Sequence, residues 1–300
     1  MEYAQLKPGR NFQPSRSLLY YVQRIVVEPR LRRLCTEGIS AAIRALRGTV
    51  PHESLFSANE ERLSQSLSAY GFTPLRILLT RTQVSDIHFF LRDKLLVNPT
   101  DRKQVFASGR AGAGARMADY FMHDIVHCPH ILELANRPSL LRLAARHLGC
   151  KPTISALVLR WSFPSNEPGV GVQSFHRDSD DWRFLKICVY LTDVDEECGP
   201  HMYVRGSHLT APTVRLRTFS NDEVARCYGP EAAVAVTGES GFGFAVNTMG
   251  IHKGMVPLKH PRLMLQIQYS LLPVFAYRYR PVPYKGPVAL DRYINRLIVE

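Results

Sequence analysis

The run FHRDSDDW, Phe175 to Trp182, constrains this chain more than any other stretch, because its polar residues lead straight into FLKICVYLTDV, which reads as a buried strand. On an extended strand alternate side chains share a face, so His176 and Asp178 stand side by side and aim at one point. Two imidazoles and one carboxylate on one face of an octahedron, with the opposite face open, form the ligand set of non-haem Fe(II) sites. His176 and Asp178 supply two of those three ligands. His252, in NTMGIHKGM, is the best third, because the apolar run RLMLQIQYS that follows opens with Arg262. A guanidinium there can hold the remote carboxylate of a 2-oxoacid co-substrate through a bidentate, charge-assisted pair.

Rival readings are weaker. HRDSDD by itself also suits a solvated turn, but the strand after it, His252 and Arg262 favour the metal site. His208, in RGSH, competes as third ligand, yet the nearby Arg215 opens no apolar strand. In MHDIVHCPH, His123 and His127 would share a helix face beside Asp124 and His130. That cluster lacks the glutamate of a zinc protease and any distant partner ligands, and it reads as a helix end.

In the order His176, Asp178, GPHMYVRGSH, His252, Arg262, the chain resembles the phytanoyl-CoA dioxygenase family of Fe(II)/2-oxoglutarate oxygenases, roughly from Asn136 to Leu272. The resemblance implies a double-stranded β-helix (jelly-roll, cupin-like) and Fe(II), 2-oxoglutarate and O2 as cofactors. It implies hydroxylation of an unactivated C–H bond in a small organic or thioester-tethered metabolite, with succinate and CO2 released. Desaturation, epimerisation and ring closure also occur in the family and stay open. Halogenases of this kind replace the carboxylate ligand by a small residue, so Asp178 argues against halogenation. The G-S-H turn at His208 is structural or merely near the site in the family pattern. An ectoine hydroxylase of the family turns a tryptophan at the spacing of Trp182 toward its substrate, which makes Trp182 a substrate-contact candidate beside rim packing.

Further pocket residues come from position. Lys186, Cys188 and Tyr190 alternate with Leu185, Ile187 and Val189, so with the polar face inward Lys186 or Tyr190 touches the co-substrate. Gln173 and Asn247, near His176 and His252 in sequence, are candidates for the substrate. Two alternatives differ in kind: a non-catalytic jelly-roll ligand-binding protein, and a cupin-type metal enzyme that uses no 2-oxoglutarate.

Around this centre the chain reads as α+β, with 1–300 as one oxygenase domain. Residues 1–150 are expected to be a mainly helical flanking region, 151–275 the jelly-roll core with the metal site, and 276–300 a Pro-rich tail. Ser17 to Arg47 is periodic, broken at Pro29 and closed by Gly48, and predicts two packed helices whose apolar positions include Leu18, Ile25, Leu34 and Leu46. Ser57 to Tyr70 predicts a helix with Ser57 as N-cap. Thr73 to Val97 suits a strand and then a helix, and 117–149 reads as helical. Residues 98–116 are polar, glycine-rich and basic; Gly109, Gly112 and Gly114 lack the strand and Lys-Ser of a phosphate loop, so the segment reads as a mobile loop or lid. After Cys150, β-rich runs separated by Pro, Gly, Asn and Asp predict a double-sheet jelly roll.

The net charge of +12 favours anionic partners. Residues 1–50 hold nine Lys or Arg against three Glu, which suits an anionic substrate or an acidic carrier. No zinc-finger, helix-turn-helix or stacked-aromatic pattern accompanies the charge, so nucleic acid is not an expected partner. The six cysteines form no C-x-x-C pair and read as reduced thiols. With no long apolar run and no leader or lipidation signal, a cytoplasmic location and no membrane partner are expected.

Overall fold

Alternate residues of the strands Thr153–Ser162, Phe184–Tyr190 and Arg262–Ser270 turn toward one internal cavity, and that alternation builds the architecture. In a computed structural model, residues 2–51, 53, 55–107, 115–210 and 217–300 are described. The helices are α1 (Pro14–Ile25), α2 (Pro29–Arg47), α3 (Ala58–Tyr70), α4 (Arg81–Leu91), α5 (Met122–His127), α6 (Ile131–Ala135), α7 (Pro138–Leu148), α8 (Asn221–Tyr228) and α9 (Arg292–Asn295). The strands are β1 (Glu2–Tyr3), β2 (Phe72–Ile77), β3 (Leu95–Val97), β4 (Val105–Ala107), β5 (Met117–Tyr120), β6 (Thr153–Ser162), β7 (Phe184–Tyr190), β8 (His201–Val204), β9 (Ala233–Val236), β10 (Phe242–Val246), β11 (His252–Gly254), β12 (Arg262–Ser270) and β13 (Tyr277–Arg278).

Among the described residues, one sheet holds eight antiparallel strands in the order β2-β10-β7-β12-β6-β5-β3-β4, and a second holds β11-β8-β9. Single bridges from Phe175 to Phe219 and from His176 to His252 give the smaller sheet a further strand position beside β11. The centre is therefore a double-stranded β-helix: β6, β12, β7 and β10 face β11, β8, β9 and the His176 segment. Strand β12 shows the logic. Its Arg262, Met264, Gln266 and Gln268 line the cavity, while Leu263, Leu265, Ile267 and Tyr269 pack into the main apolar core on the other face. That outer face is covered by α3 and α7, the latter lying on β7. The helix ends behave as their residues dictate: Ser57 and Glu60 close a capping box on α3, and Gly71 ends it in the left-handed region at φ 82°.

The first half carries α1 to α7, and it also gives strands to the large sheet beyond the one expected after Thr73. Strands β2, β3, β4 and β5 extend the large sheet at both edges. Met117–Tyr120, read as the start of a helix, is a strand because Asp119 receives Arg160 of β6 in a bidentate pair at 2.6 and 2.8 Å. Part of the expected loop 98–116 is also ordered by pairing: Val105–Ala107 lie antiparallel to β3 across a turn in which Asn98 Oδ1 accepts from Thr100 N at 2.9 Å. Gly109, Arg110, Gly112 and Gly114 lie outside the described residues, as does Arg215.

Helices α1 and α2 form as expected, with Pro29 at the start of α2, but although Ile43 is buried in the core, polar residues fill most of the inward face. Ser17, Gln23, Arg32, Thr36 and Ser40 are buried, whereas Leu34 and Leu46 are 66% and 76% exposed. The reason lies in what they cover. Arg32 donates to Gln23 O at 2.6 Å and, from β-helix side, to Asp181 O at 3.0 Å and Trp182 O at 3.1 Å, so these helices satisfy the backbone that follows the H-x-D segment. The Pro-rich tail takes an extended path: β13 pairs with β1, Val282 bridges Val299, and Asn295 of α9 bonds Asn136 at 2.8 Å. The six cysteines are free thiols. No helix among the described residues is long and apolar enough to cross a membrane.

Candidate active site

The alternation expected of the H-x-D segment is what places its side chains. His176 N donates to His252 O at 2.9 Å, His252 N returns to His176 O at 3.0 Å, and Asp178 N donates to Thr248 O at 2.8 Å. His176 and Asp178 therefore share the cavity face. Arg177 between them points the other way and donates to Ser207 O (2.8 Å), Met249 O (2.7 Å), Thr210 Oγ1 (2.7 Å) and Tyr228 Oη (3.1 Å). It clamps the ligand segment to the two turns behind it.

His176 Nε2 lies 3.5 Å from Asp178 Oδ1, and His252 Nε2 lies 3.5 Å from Asp178 Oδ2. One ligand atom from each of the three residues falls within 4.8 Å of the others, the one such group among the described residues. His176 Nδ1 bonds Ser174 O at 2.8 Å and His252 Nδ1 bonds Gly250 O at 3.0 Å. Those carbonyls accept a hydrogen bond from Nδ1–H, which leaves both Nε2 lone pairs for a metal. Two oriented imidazoles and a carboxylate on one wall of a cavity of about 650 Å³ fit Fe(II) with open positions toward the cavity.

Charge in the site is tightly coupled. Burial raises the Asp178 carboxyl, but Lys186, then His252 and His176, outweigh it and hold it well below its ordinary value. Lys186 Nζ donates to Asp178 Oδ2 at 2.6 Å and lies 3.7 Å from Asp180 Oδ2. Burial, followed by the neighbouring His176, pushes His252 down to about 3. Burial also opposes charge on His176, yet its hydrogen bond and charge interaction with Asp178 prevail and raise its pKa.

Arg262 is 4% exposed at the cavity wall. Its Nη2 donates to Ser162 Oγ at 3.2 Å, while Nε and Nη1 have no partner. A buried guanidinium that pairs with no carboxylate among the described residues is a ready site for an anionic ligand.

The other expected residues divide. Lys186 and Gln173 line the cavity, and both amide atoms of Gln173 lack partners. Tyr190 does not line it: one layer further along β7 than Cys188, its hydroxyl donates to Val236 O at 2.7 Å and accepts from His201 N at 3.0 Å. Trp182 packs at the rim of the main core with the Arg32 guanidinium 5.4 Å from its ring, outside the cavity lining. Asn247 shapes the turn before His252, where its Oδ1 accepts from Met249 N at 3.2 Å, and it too is outside the lining. His208 Nε2 meets Ser68 O at 3.0 Å, away from the metal group. The His123 and His127 rings lie tilted to each other at 4.4 Å on a helix surface, and His130 pairs with Asp86 at 2.9 Å. Residues the sequence reading passed over include His201, Ser162 and Thr248. His201 stands in the quoted GPHMYVRGSH run; the others carry no signal without the fold.

Residues 67–253 match the family model described as phytanoyl-CoA dioxygenase (PhyH), well over half of the chain. The chain belongs to the phytanoyl-CoA dioxygenase family. Members of this family are iron- and 2-oxoglutarate-dependent oxygenases, the chemistry for which the His176, Asp178 and His252 set is fitted. Two solved structures show the same fold. The epimerase SnoN, in complex with Fe3+, alpha ketoglutarate and nogalamycin RO, is 21% identical over 71% of this chain and 83% of its own, at a TM-score of 0.51. EctD from S. alaskensis in its apoform is 20% identical over 81% of this chain and 87% of its own, at a TM-score of 0.52. No curated protein matches the chain.

Proposed function

We propose that this protein is a non-haem Fe(II)/2-oxoglutarate-dependent dioxygenase that hydroxylates an unactivated C–H bond of a small organic molecule. The observation that carries the reading is the pairing, in one cavity, of three converging ligand atoms with a buried arginine that lacks a carboxylate partner. Iron and 2-oxoglutarate supply oxidative decarboxylation to succinate and CO2, coupled to insertion of one atom of O2 into the substrate.

The chain's own residues do the positioning. His176, Asp178 and His252 hold the metal, and Arg262 with Ser162 receives the remote carboxylate of the co-substrate. Lys186 fixes Asp178 through its Oδ2. Among the other cavity cations, Arg24, Arg160 and Arg217 face Asp180, Asp119 and Glu223. Arg262 is thus a cavity cation without a carboxylate partner, and Gln173, Thr248, Gln266 and Gln268 offer neutral hydrogen bonds to a substrate in the same cavity. A small-molecule substrate suits the cavity volume and the nogalamycin RO named in the SnoN complex.

The test incubates the protein with Fe(II), 2-oxoglutarate and O2 against a panel of small polar metabolites, following succinate and substrate mass together. Succinate release matched by gain of one oxygen atom supports hydroxylation. Loss of two hydrogens, or turnover at unchanged mass, assigns desaturation or epimerisation instead.

A further inference from the structure

One histidine in the cavity has no role in metal binding. His201 opens β8, is 5% exposed, lines the cavity, and has no hydrogen-bond partner at Nε2. It falls outside the group of converging ligand atoms. Its ring stacks on that of His252 at 5.5 Å and 23°, and the Phe244 ring closes its far side at 5.3 Å. A buried imidazole nitrogen without a partner is costly unless a ligand completes it.

The register says which part of the ligand it meets. His201 is paired across the sheet with Gly254, and a Cβ at Gly254 would stand 3.1 Å from Arg262 Nη2. With only hydrogen at that position, the backbone leaves His201 and the Arg262 guanidinium as neighbours at the same end of the cavity. We propose that His201 donates a hydrogen bond to the distal carboxylate of the co-substrate, beside Arg262 and Ser162, and so selects a dicarboxylic 2-oxoacid. This rests on the 2-oxoglutarate reading above. The geometry is chemically matched: a carboxylate offers about four lone-pair sites, and here it meets the free Nε and Nη1 of Arg262, the Ser162 hydroxyl and one imidazole N–H.

The experiment titrates the Fe(II)-loaded protein under argon with 2-oxoglutarate and with 2-oxopentanoate, which has the same chain with a methyl group in place of the distal carboxylate. Losing a hydrogen bond to a charged group predicts that His201→Leu weakens 2-oxoglutarate binding by about tenfold or more while 2-oxopentanoate binding stays unchanged. His201→Gln, which keeps an N–H donor, should recover part of the loss. Unchanged Fe(II) affinity in both variants verifies that the fold holds. Equal weakening of both ligands, or no change for either, overturns the assignment of His201 while leaving the 2-oxoglutarate reading intact. Failure of the unaltered protein to bind 2-oxoglutarate overturns both.

Discussion

His176 and His252 exchange backbone hydrogen bonds in both directions, at 2.9 and 3.0 Å, and their rings lie 4.3 Å apart on the same side of that pair. Two segments distant in sequence are thus fixed in register by main chain, and the metal ligands inherit their spacing from the sheet. With Nδ1 of each ring tied to a carbonyl, the site is organised by the fold itself.

Replacing one ligand should therefore remove the metal without removing the fold. His252→Ala is expected to abolish stoichiometric Fe(II) binding in equilibrium dialysis, and His208→Ala, whose ring meets Ser68 O, should leave it intact. Retained binding in His252→Ala with loss in His208→Ala would reverse the ligand assignment.

Metal affinity should depend on pH through one proton. A metal takes the place of a proton on Nε2, so affinity is present above a histidine's pKa and lost as pH falls through it. His176 is raised by Asp178, whereas His252 stays neutral down to about 3. Affinity for Ni(II) should accordingly fall by about tenfold per pH unit below the His176 pKa. A decline of about a hundredfold per unit would mean that both histidines titrate together.

The same local logic marks how far the sequence could be read. Strand alternation alone puts His176 and Asp178 together and Arg177 behind them, and the spacing of Arg262 from His252 singled out the third ligand. Alternation also placed Lys186 and Cys188 on the inner face, but period does not give depth, so Tyr190, on that face, proved to lie past the end of the cavity. Helical periodicity likewise put Ile43 on the buried face of α2 without announcing that polar residues fill most of the inward face of both helices. The backbone carbonyls at Asp181 and Trp182 decide that, by demanding Arg32. The strand at Met117–Tyr120 depends on Arg160, a long-range partner that no local pattern announces.

Arg262 should act on the co-substrate alone. A charge-assisted bidentate pair in a buried site is worth about 1.5–3 kcal/mol per hydrogen bond, so Arg262→Ala should weaken 2-oxoglutarate binding by about a hundredfold or more. Fe(II) affinity should stay constant, and Arg262→Lys should restore only part of the loss because one fork of donors is gone. Titration of the Fe(II)-loaded protein under argon separates the two effects.

Lys186 holds two carboxylates, Asp178 and Asp180, in one buried corner. Lys186→Met leaves Asp178 facing Asp180 without its lysine, with Arg24 remaining only beside Asp180, and breaking a buried pair in this way costs about 3–5 kcal/mol. The metal-free variant should melt well below the unaltered protein, and adding Ni(II), which supplies the missing positive charge at Asp178, should raise its Tm by more than it raises that of the unaltered protein. Equal metal-induced shifts would show that Lys186 does not share Asp178 with the metal.

The most direct measurement is anaerobic addition of Fe(II) and then 2-oxoglutarate to the metal-free protein, watching for the weak visible charge-transfer absorption of a chelated 2-oxoacid. The band should appear in the unaltered protein and be absent from His252→Ala and, at the same co-substrate concentration, from Arg262→Ala. Tight Fe(II) binding with no band would contradict the 2-oxoglutarate assignment and point to a metal enzyme that uses no 2-oxoacid, and failure to bind Fe(II) at all would point to a jelly roll that binds ligands without catalysis.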